Sequence, residues 1–281
     1  MQRALPDDIE ETVRRALAED VGSGDLTANL INPDVQARAQ VLTRDDAILC
    51  GVKWFDEVFR QLNKKIDVDW HAKDGDSLHV GQTLCKISGP ARFILTGERT
   101  ALNFLQLLSA TASRTRQYVD AVSGTKVVIL DTRKTLPGLR KAQKYAVVCG
   151  GGQNHRLGLY DGILIKENHI AAAGSIAAAL QGARHSASKD IIVEIEVENI
   201  SQLRETLRAG ADHLLLDNFS LEDLKNAVKE TRGRARLEAS GGITLANIRA
   251  IAECGVDFIS IGDITKNLKA IDLTLRFSSR S

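Results

Sequence analysis

Six short apolar runs along the chain each stop at a polar or glycine-rich cluster. They read VVILDTRK, DGILIKENH, IIVEIEVEN, HLLLDNF, RLEASGG and DFISIGD, and they lie between Val127 and Asp263. The segments between them have the length and periodicity of helices, so the pattern predicts repeated strand–helix units and a parallel sheet. Parallel strands joined by right-handed crossovers point the same way. We therefore expect the six clusters to meet at one edge of the sheet, where such folds carry their sites.

The six runs leave two architectures open, an incomplete α/β barrel and an open doubly wound sheet. A complete barrel of eight units takes about 250 residues, which is more than this segment offers. In the run IIVEIEVEN, Glu194, Glu196 and Glu198 share one face of the strand because strand side chains alternate. Both faces of a parallel strand are usually covered and apolar, so three acids on one face need cations or water. A barrel with a polar-lined mouth explains them better, and we predict an incomplete parallel α/β barrel.

The first hundred residues lack this rhythm and are predicted to form a separate N-terminal domain. ARAQVLTRDDAILCG is typical of a β-hairpin with Asp45 and Asp46 at its turn. Residues 54–62 have helical spacing, and the glycine-punctuated stretch 66–90 predicts short antiparallel strands.

A helix predicted over residues 97–122 joins the two domains. Its apolar stripe consists of Leu102, Leu105, Leu108 and Ala112. We assign residues 1–110 to the N-terminal domain and 111–267 to the barrel. The tail 268–281 is expected to pack back onto the N-terminal domain.

Composition excludes several classes of function. The net charge of the 281 residues is +1, and the chain lacks the basic excess of nucleic-acid-binding proteins, so we expect no nucleic-acid partner. The most apolar stretch, AAAGSIAAAL, is about half of the ~20 residues that a membrane-spanning helix needs, and the N-terminal residues lack the apolar core of a signal peptide. The four cysteines are far apart and form no CxxC pair, which favours reduced thiols. These observations predict a cytoplasmic protein with no membrane partner.

Positively charged side chains follow several of the predicted strands. They are Arg133, Lys134, Arg156 and Lys166, and Arg99 lies on the joining helix, from which a domain or subunit contact could bring it to the same edge. Two cations about 8 Å apart repel by roughly 2 kcal/mol at an effective dielectric constant of about 20, so a cleft that collects several of them needs anions. The alternative, a solvated surface charge, holds for most single arginines. If the topology brings all five together, they predict a polyanionic ligand.

Small residues and acids at the same edge specify the anion further. The last two strands end in small residues, which are Ser240, Gly241, Gly242 and Gly262. The backbone amides of such residues can approach phosphate oxygens closely. Glycine-rich turns also occur without a ligand, so this signal has a second explanation. Glu196 and Asp217 offer the hard oxygen ligands that Mg²⁺ prefers, or they form ion pairs with Lys166 or an arginine. His155 lies in the loop GGGQNHR, where it could donate to a carboxylate or a ring. This edge of the sheet therefore predicts a phosphate ligand with Mg²⁺.

Eight ordered blocks run through nearly the whole chain: EDVGSGDLTAN, GERTALNFLQLLSATAS, DTRKTLPGLR, KYAVVCGGGQNHRLGLYDGILIKENH, EIEVEN, LLLDNF, EASGGI and DFISIG. In this order and spacing the chain resembles the quinolinate phosphoribosyltransferase family. The resemblance implies an N-terminal α/β sandwich domain, an incomplete α/β barrel, and a homodimer or higher oligomer whose subunits complete each other's active sites. The implied reaction converts quinolinate and phosphoribosyl pyrophosphate to nicotinate mononucleotide, pyrophosphate and carbon dioxide, with Mg²⁺ as cofactor, in the de novo synthesis of NAD.

The resemblance also implies a role for each site residue. The residues implied to bind the pyridine dicarboxylate are Arg133, His155, Arg156 and, reaching in from the partner subunit, Arg99. Four residues are implied to be catalytic. Lys134 and Lys166 would lie between quinolinate and the phosphoribosyl donor, and Glu196 and Asp217 would lie on the metal and ribose side of that donor. The residues implied to bind phosphate oxygens are Ser240, Gly241, Gly242 and Gly262.

Three other functions are compatible with these residues. A related phosphoribosyltransferase would prefer nicotinate, a monocarboxylate, although the surplus of arginines favours a dicarboxylate. A catalytically inactive phosphosugar- or metabolite-binding protein would share the scaffold, although the intact acids and lysines argue against it. A general phosphate-binding barrel enzyme such as an aldolase would use Lys166 in a Schiff base, which borohydride would trap in the presence of substrate.

Overall fold

A computed structural model of the chain describes residues 4–188 and 190–278, and these residues form two compact units. Unit 1 comprises the residues up to Arg116, Leu136–Gly151 and the residues from Asn267 onward. Unit 2 comprises Gln117–Thr135 and Gly152–Lys266.

Unit 1 is an α/β sandwich domain built on a four-stranded antiparallel sheet, as expected. Its helices are α1 (Ile9–Val21), α2 (Val52–Leu62), α3 (Ala91–Ala121, whose last five residues belong to unit 2) and α4 (Arg140–Gly150), with a 3₁₀ turn at Ala28–Leu30. Its strands are β1 (Gln36–Thr43), β2 (Ala47–Ile48), β3 (Asp67–Trp70), β4 (Ser77–Leu78), β5 (Thr83–Pro90) and β12 (Leu273–Phe277). The sheet has the order β12–β1–β5–β3, and β2 pairs with β4.

Helix α2 shows how the sequence builds the core of unit 1. Its buried side chains are Trp54, Phe55, Val58 and Phe59, which share one face because helical neighbours lie three and four residues apart. The ring of Phe55 packs edge-on against Phe59 and against Trp70 of β3, with centroids 5.1 and 5.2 Å apart. Burial of each such side chain contributes roughly 1.5–3 kcal/mol, so this face anchors the helix to the domain.

The predicted hairpin around Asp45 and Asp46 is wrong. Strand β1 pairs with β5 and with β12, and β2 pairs with β4 instead of with β1. Asp45 accepts a hydrogen bond from the backbone N–H of Asp272 at 2.8 Å, and Asp46 accepts one from Val80 at 3.0 Å. Both aspartates therefore connect segments that are distant in sequence, which a local turn signal does not reveal.

Helix α4 belongs to unit 1, although it follows the first barrel strand in sequence. Its Ala142, Ala146 and Cys149 are buried in the hydrophobic core of that unit. Unit 1 also includes strand β12, which pairs with β1. The division at residues 110 and 267 that we drew from the sequence thus differs from these units, because it assigns α4 and residues 111–116 of α3 to the barrel.

Unit 2 is built on a six-stranded parallel sheet in the order β6–β11–β10–β9–β8–β7. All six apolar runs form strands, which are β6 (Val128–Leu130), β7 (Ile163–Ile165), β8 (Val193–Val197), β9 (His213–Asp217), β10 (Arg236–Ser240) and β11 (Phe258–Ser260). The helices that follow them are α5 (Glu167–Ala173), α6 (Ile176–Ser186), α7 (Ile200–Arg208), α8 (Leu221–Thr231), α9 (Ile248–Ala252) and α10 (Asp263–Lys266). The predicted parallel sheet is confirmed. Among the described residues, the two outer strands of this sheet, β6 and β7, do not pair with each other.

Three of these helices start at a residue suited to capping. Ser175, Asn199 and Ser220 each accept a hydrogen bond on the side chain from the backbone N–H three residues later. Such caps satisfy an N–H group that the helix itself leaves unpaired and are worth about 1 kcal/mol each. The polar residues after the strands therefore also set where the helices begin.

Within the residues that the structure describes, no helix combines the length and the apolar character needed to cross a membrane.

Candidate active site

The segment that begins at Gln153 lies along the open edge of strand β6. Gln153 forms an isolated parallel bridge to Leu130. Asp131 is fully buried and accepts hydrogen bonds from the side chain of Asn154 at 2.6 Å and from the backbone N–H of His155 at 2.9 Å. A buried carboxylate is costly without such partners, so these bonds both satisfy Asp131 and hold the segment where the sheet is not closed.

His155 contacts carboxylates from two strands that are not adjacent. Its Nε2 atom lies 2.9 Å from Glu194 Oε2 on β8 and 3.6 Å from Glu238 Oε2 on β10. Glu194 and Glu238 project from the same face of the sheet, so the imidazole lies over that face between β8 and β10. The parallel six-stranded sheet, in which β6 and β7 lie at opposite ends and do not pair with each other within residues 4–188 and 190–278, agrees with the predicted incomplete barrel.

Glu238 is held in an environment that favours its neutral form. Its side chain is buried, and burial together with the nearby Glu194 raises its pKa to about 8. His155 and Ser260 act in the opposite direction and offset this rise only in part. Burial and the charge of Glu194 thus favour the protonated form of Glu238, whereas an ordinary glutamate is ionised at neutral pH.

The raised pKa of Glu238 makes the stability of the fold depend on pH. The unfolded chain loses this proton near the ordinary value of 4.5 and the folded chain near 8, so the stabilisation is complete below the first value and is lost as pH rises through the second. The groups facing Glu238 are Glu194 from β8, Ser260 from β11 and His155. We expect the unfolding free energy of wild type, relative to Glu238→Gln, to fall by at least ~1 kcal/mol between about pH 5 and pH 8 in urea titrations. A difference that stays constant over this window would contradict the prediction.

Two arginines lie beside the same segment. Arg156 donates a hydrogen bond to the carbonyl oxygen of Gly162 at 3.0 Å. Its pKa is lowered by burial and by the positive charge of Arg133, while Glu194 and Asp161 act in the opposite direction. Arg133 and Arg156 are therefore close enough to repel each other, and an anion bound beside them would relieve the repulsion.

Lys166 and Glu196 form an ion pair, with 2.6 Å between Nζ and Oε2. Lys166 follows β7 and Glu196 lies on β8, so the pairing of these strands brings the two residues together. The Glu196 side chain is 11% exposed and that of Lys166 is 43% exposed. Of the two roles that the sequence left open for Glu196, a metal ligand or an ion-pair partner, the structure shows the ion pair with Lys166. The side chain of Lys166 remains partly exposed, so an anionic ligand can interact with it.

Lys134 and Gly262 meet where strands β6 and β11 end. A β-carbon at Gly262 would lie 3.0 Å from Cδ of Lys134 and 3.6 Å from Oγ1 of Thr132. The hydroxyl of Thr265 donates a hydrogen bond to the carbonyl oxygen of Lys134 at 2.8 Å. The residues after β11 therefore hold the lysine backbone and leave room for its aliphatic stem.

Asn218 brings together Asp217, Ser240 and Gly241. Asp217 and Ser240 pair in register on β9 and β10. Asn218 has a left-handed backbone conformation, with φ 55°. Its backbone N–H donates a hydrogen bond to the carbonyl oxygen of Ser240 at 2.9 Å. Its side-chain amide donates one to Oδ2 of Asp217 at 2.7 Å. A β-carbon at Gly241, where φ is 91°, would lie 2.1 Å from the Asn218 side-chain oxygen. Glycine is therefore required here by both the close approach and the backbone conformation.

We expect Gly241→Ala to lower the free energy of unfolding of unit 2 more than the same substitution does at another positive-φ glycine whose surroundings are open. The new methyl group would displace the Asn218 side chain, and such overpacking costs about 1–3 kcal/mol in addition to about 1 kcal/mol for the positive φ. Gly233→Ala is the matched control, because Gly233 has φ 72° and nothing within 4 Å of the added β-carbon. Urea unfolding of both variants measures the difference, and equal losses of stability would contradict the expectation.

Glu196 and Asp217 form a donor set that suits a magnesium ion. Glu196 pairs in register with Leu215, two residues before Asp217, so both carboxylates project from the same face of neighbouring strands. Each uses one oxygen in the hydrogen bonds described above, Oε2 towards Lys166 and Oδ2 towards Asn218. Mg²⁺ is usually held by one or two carboxylates together with water and substrate phosphates. The donor set therefore fits an ion that arrives with a phosphorylated ligand.

The remaining predicted residues are Arg99 and Gly242. Arg99 is exposed on helix α3 and belongs to unit 1, whereas all the other predicted site residues belong to unit 2. Gly242 has φ 59°, and no atom lies within 4 Å of the position of its missing β-carbon. The space beside Gly242 is therefore open.

Several polar residues that organise this site were not predicted as site residues. Asp131 and Glu238 are the acids of the runs VVILDTRK and RLEASGG, and Asn154 and Asn218 lie in the loop GGGQNHR and the run HLLLDNF. Asn218 carried a usable signal, since asparagine directly after a strand is one of the few residues that tolerate a left-handed backbone. Asn154 carried none, because its partner Asp131 lies 23 residues away.

The fold and the site define an α/β-barrel protein with a cluster of charged side chains at the carboxyl ends of its parallel strands. The family model for the N-terminal domain of quinolinate phosphoribosyl transferase matches residues 25–109, and the model for its C-terminal domain matches residues 111–276. The chain belongs to the quinolinate phosphoribosyltransferase family.

Individual relatives agree with this assignment. A probable nicotinate-nucleotide pyrophosphorylase (carboxylating) of Bacillus subtilis is 41% identical over 267 residues, which cover 95% of this chain and 92% of that protein. The chloroplastic nicotinate-nucleotide pyrophosphorylase (carboxylating) of Arabidopsis thaliana is 39% identical over 292 residues, covering 97% of this chain and 83% of that protein. Among solved structures, the nicotinate-nucleotide pyrophosphorylase from Francisella tularensis matches with a TM-score of 0.95 at 48% identity and covers 98% of each chain. The family and the fold class predicted from the sequence are confirmed.

Proposed function

We propose that this chain is an enzyme that transfers the phosphoribosyl group of phosphoribosyl pyrophosphate to quinolinate, releasing pyrophosphate and carbon dioxide and giving nicotinate mononucleotide for NAD biosynthesis. Membership in the family and the names of its relatives support this reaction. The observation that carries the proposal is the spacing of two acids on strand β8. Glu194 interacts with the partly buried Arg156, and Glu196, two residues further on the same face, pairs with Lys166. One strand thus links a carboxylate-binding side to a phosphoribosyl-binding side.

The two repelling arginines favour a dicarboxylate over a monocarboxylate. A guanidinium binds a carboxylate through two parallel N–H···O bonds, so each arginine can take one carboxylate of the pyridine ring. Nicotinate would neutralise only one of the two charges of Arg133 and Arg156 and would leave part of their mutual repulsion. Quinolinate is therefore the better match for this pair.

The transfer step requires charge stabilisation on both sides of the breaking bond. As pyrophosphate leaves, positive charge develops on the ribose carbon and negative charge on the leaving oxygens. Lys134, which is exposed beside Gly262, would donate to the leaving group, and Glu196 or Asp217 would stabilise the ribose. A magnesium ion held by Glu196 and Asp217 would supply further neutralisation of the phosphate charge. The ring nitrogen of quinolinate then forms the new bond to the ribose.

Decarboxylation follows from the product of that transfer. The ribosylated ring nitrogen carries a positive charge, and it stabilises the electron pair left on the ring carbon when the bond to the adjacent carboxylate breaks. That carbon then takes up a proton, and carbon dioxide leaves. The task of the protein is orientation and partial removal of water from the carboxylate, for which the partly buried Arg156 is suited.

The test is a product assay with defined substrates. Purified protein is incubated with phosphoribosyl pyrophosphate, Mg²⁺ and either quinolinate or nicotinate, and pyrophosphate, carbon dioxide and mononucleotide are measured. We expect pyrophosphate and carbon dioxide in equal amounts with quinolinate and little reaction with nicotinate. Efficient turnover of nicotinate without quinolinate turnover would contradict the proposal, and so would the absence of any pyrophosphate release.

We extend the proposal to a homodimer in which Arg99 of one subunit serves the site of the other. The support is that Arg99 is exposed and is the one predicted site residue of unit 1. Subunits carrying Arg99→Ala and subunits carrying Lys134→Ala should each be inactive and should regain activity when they are mixed, because a mixed dimer contains one site with both residues. Failure of mixed dimers to regain activity would refute a shared site.

We also propose that the protein works in the cytoplasm. All four of its cysteines are buried and unbridged, which suits a reducing compartment. Fractionation of cells that make the protein, followed by immunoblotting, tests this location. Recovery outside the cytoplasmic fraction would refute it.

A further inference from the structure

The backbone of Lys134 is held on both sides of its α-carbon by threonine hydroxyl groups. Its N–H donates a hydrogen bond to Oγ1 of Thr132 at 3.1 Å, and its carbonyl oxygen accepts one from the hydroxyl of Thr265 at 2.8 Å. The Thr265 hydroxyl also lies 3.5 Å from the carbonyl oxygen of Gly262. Because a hydroxyl has one proton to donate, the shorter distance assigns that proton to the carbonyl oxygen of Lys134.

The bond from Thr265 acts where the parallel sheet no longer holds the chain. The pairing of β6 with β11 ends before Lys134, so the strand ladder does not fix this residue. The chain passes from unit 2 into unit 1 after Thr135, and it does so again after Lys266. The Thr265 hydroxyl therefore joins two segments of unit 2 just before each of them leaves it.

Thr265 donates outside its own helix, although many threonines in helices do not. It is fully buried and lies 131 residues from Lys134 in the sequence. Thr111 and Thr115, which are also fully buried, donate instead to carbonyl oxygens four residues earlier in α3, at 3.2 and 2.8 Å. A bond of that local kind acts only on its own helix. The bond from Thr265 instead fixes the backbone of an exposed residue in a distant segment.

The side chain of Lys134 is guided by the same region of the structure. A β-carbon at Gly262 would lie 3.0 Å from Cδ of Lys134, so the aliphatic stem of the lysine lies against this glycine. The backbone of Lys134 is fixed by Thr265 and its stem is confined by Gly262, and these contacts restrict the direction of the ammonium group. A side chain that is restricted before binding loses less conformational entropy when it binds an anion.

We propose that Thr265 is a positioning residue for Lys134, whose hydroxyl holds the lysine backbone so that the ammonium group is directed at the leaving pyrophosphate. This role rests on the proposed function, which gives Lys134 that task. Misplacement of a reacting group by about 1 Å can lower a rate by about a hundredfold, whereas one hydrogen bond contributes little to the stability of a whole domain. Loss of the hydroxyl should therefore affect turnover more than folding.

The first experiment removes the hydroxyl of Thr265 at nearly constant shape. We expect Thr265→Val to lower kcat for nicotinate mononucleotide formation about tenfold and to change KM for quinolinate by less than about twofold. Thr265→Ser keeps the hydroxyl, so its kcat should stay within about threefold of wild type. Thr206→Val is the matched control and should leave kcat within about twofold of wild type. Thr206 is equally buried in unit 2, and its Oγ1 has no hydrogen-bond partner within residues 4–188 and 190–278.

The second experiment tests whether Thr265 acts through Lys134. In the Lys134→Ala variant the ammonium group is absent, so the additional change Thr265→Val should alter kcat by less than about twofold. A general loss of structure would instead lower kcat by the same factor with and without the lysine. Urea unfolding of each variant establishes that the protein is folded under the conditions of the assay.

A third measurement requires neither turnover nor quinolinate. Isothermal titration calorimetry with pyrophosphate and Mg²⁺ measures the affinity for the leaving group directly. We expect the Kd for pyrophosphate to be about fivefold higher in Thr265→Val than in wild type, because the ammonium group is less well placed for this anion. The Kd in Thr206→Val should equal that of wild type.

Several outcomes would overturn the positioning role. They are an unchanged kcat in Thr265→Val, an equal loss in Thr265→Ser, and an equal loss when Thr265→Val is added to Lys134→Ala. Failure of Thr265→Val to fold would also overturn it, because the hydroxyl would then serve the fold. If wild-type protein bound pyrophosphate but did not use quinolinate, the proposed function would fail, and the Kd for pyrophosphate in Thr265→Val would still decide the role of Thr265. Wild-type protein that bound no pyrophosphate would overturn both.

Discussion

Replacement of Lys134 by alanine should lower kcat for nicotinate mononucleotide formation by roughly a hundredfold or more, because the leaving pyrophosphate would lose a positively charged donor. Lys134 is exposed and its aliphatic stem lies against Gly262, so truncation removes little buried surface. The free energy of unfolding should therefore change by no more than about 0.5 kcal/mol. Steady-state pyrophosphate release and urea unfolding measure the two quantities.

The specificity of that result depends on two comparisons. Lys225→Ala removes an exposed lysine from helix α8 and should leave kcat within about twofold of wild type. Lys134→Arg keeps the charge but changes the shape of the donor, so it should recover only part of the lost activity. Near-normal turnover by Lys134→Ala would refute the role of this lysine.

Glu196→Gln should lower kcat/KM for phosphoribosyl pyrophosphate by about a hundredfold and raise the Mg²⁺ concentration needed for half-maximal rate. Glutamine preserves the shape of the side chain but removes the charge, so Lys166 loses its 2.6 Å ion-pair partner and the metal loses a carboxylate ligand. The KM for quinolinate should change much less, because Arg133 and Arg156 are untouched. Initial rates measured as a function of both substrates and of Mg²⁺ give all three quantities.

Glu205→Gln is the matched control, since Glu205 is an exposed glutamate on helix α7 in the same unit. It should leave the Mg²⁺ dependence unchanged. If Glu196→Gln lowered activity with no change in its Mg²⁺ requirement, Glu196 would act only through Lys166 and the metal-ligand role would be wrong. Full activity of the variant would exclude both roles.

The sequence alone was sufficient for the parallel sheet, for the helices between its strands and for the family. Apolar periodicity is a local property, so each of the six runs predicted its strand without knowledge of its neighbours. The polar residues at strand ends were also foreseen, because parallel strands present their carboxyl ends at one edge. The pairing of Lys166 with Glu196 was foreseen as one of two alternatives for that acid.

Contacts between distant segments could not be predicted in this way. Strand β1 pairs with β12, which lies more than 200 residues further along the chain, and the local turn signal at Asp45 and Asp46 indicated a hairpin instead. The burial of α4 in unit 1 has the same origin. A helix shows in its sequence that it has an apolar face but not which domain that face packs against.

The cluster of His155, Glu194 and Glu238 shows the same division within the site. Strand alternation indicated that Glu194 lies on a polar face of its strand, and Glu238 is the acid of the run RLEASGG, so the sequence determined which chemical groups the barrel contains. Only the tertiary structure decided that both carboxylates reach one imidazole, because β8 and β10 are separated by β9 in the sheet and His155 lies far from both glutamates in the sequence. Contacts of this kind leave no local pattern in the sequence, so the burial of Glu238 beside Glu194, which raises the pKa of Glu238, follows from the fold alone.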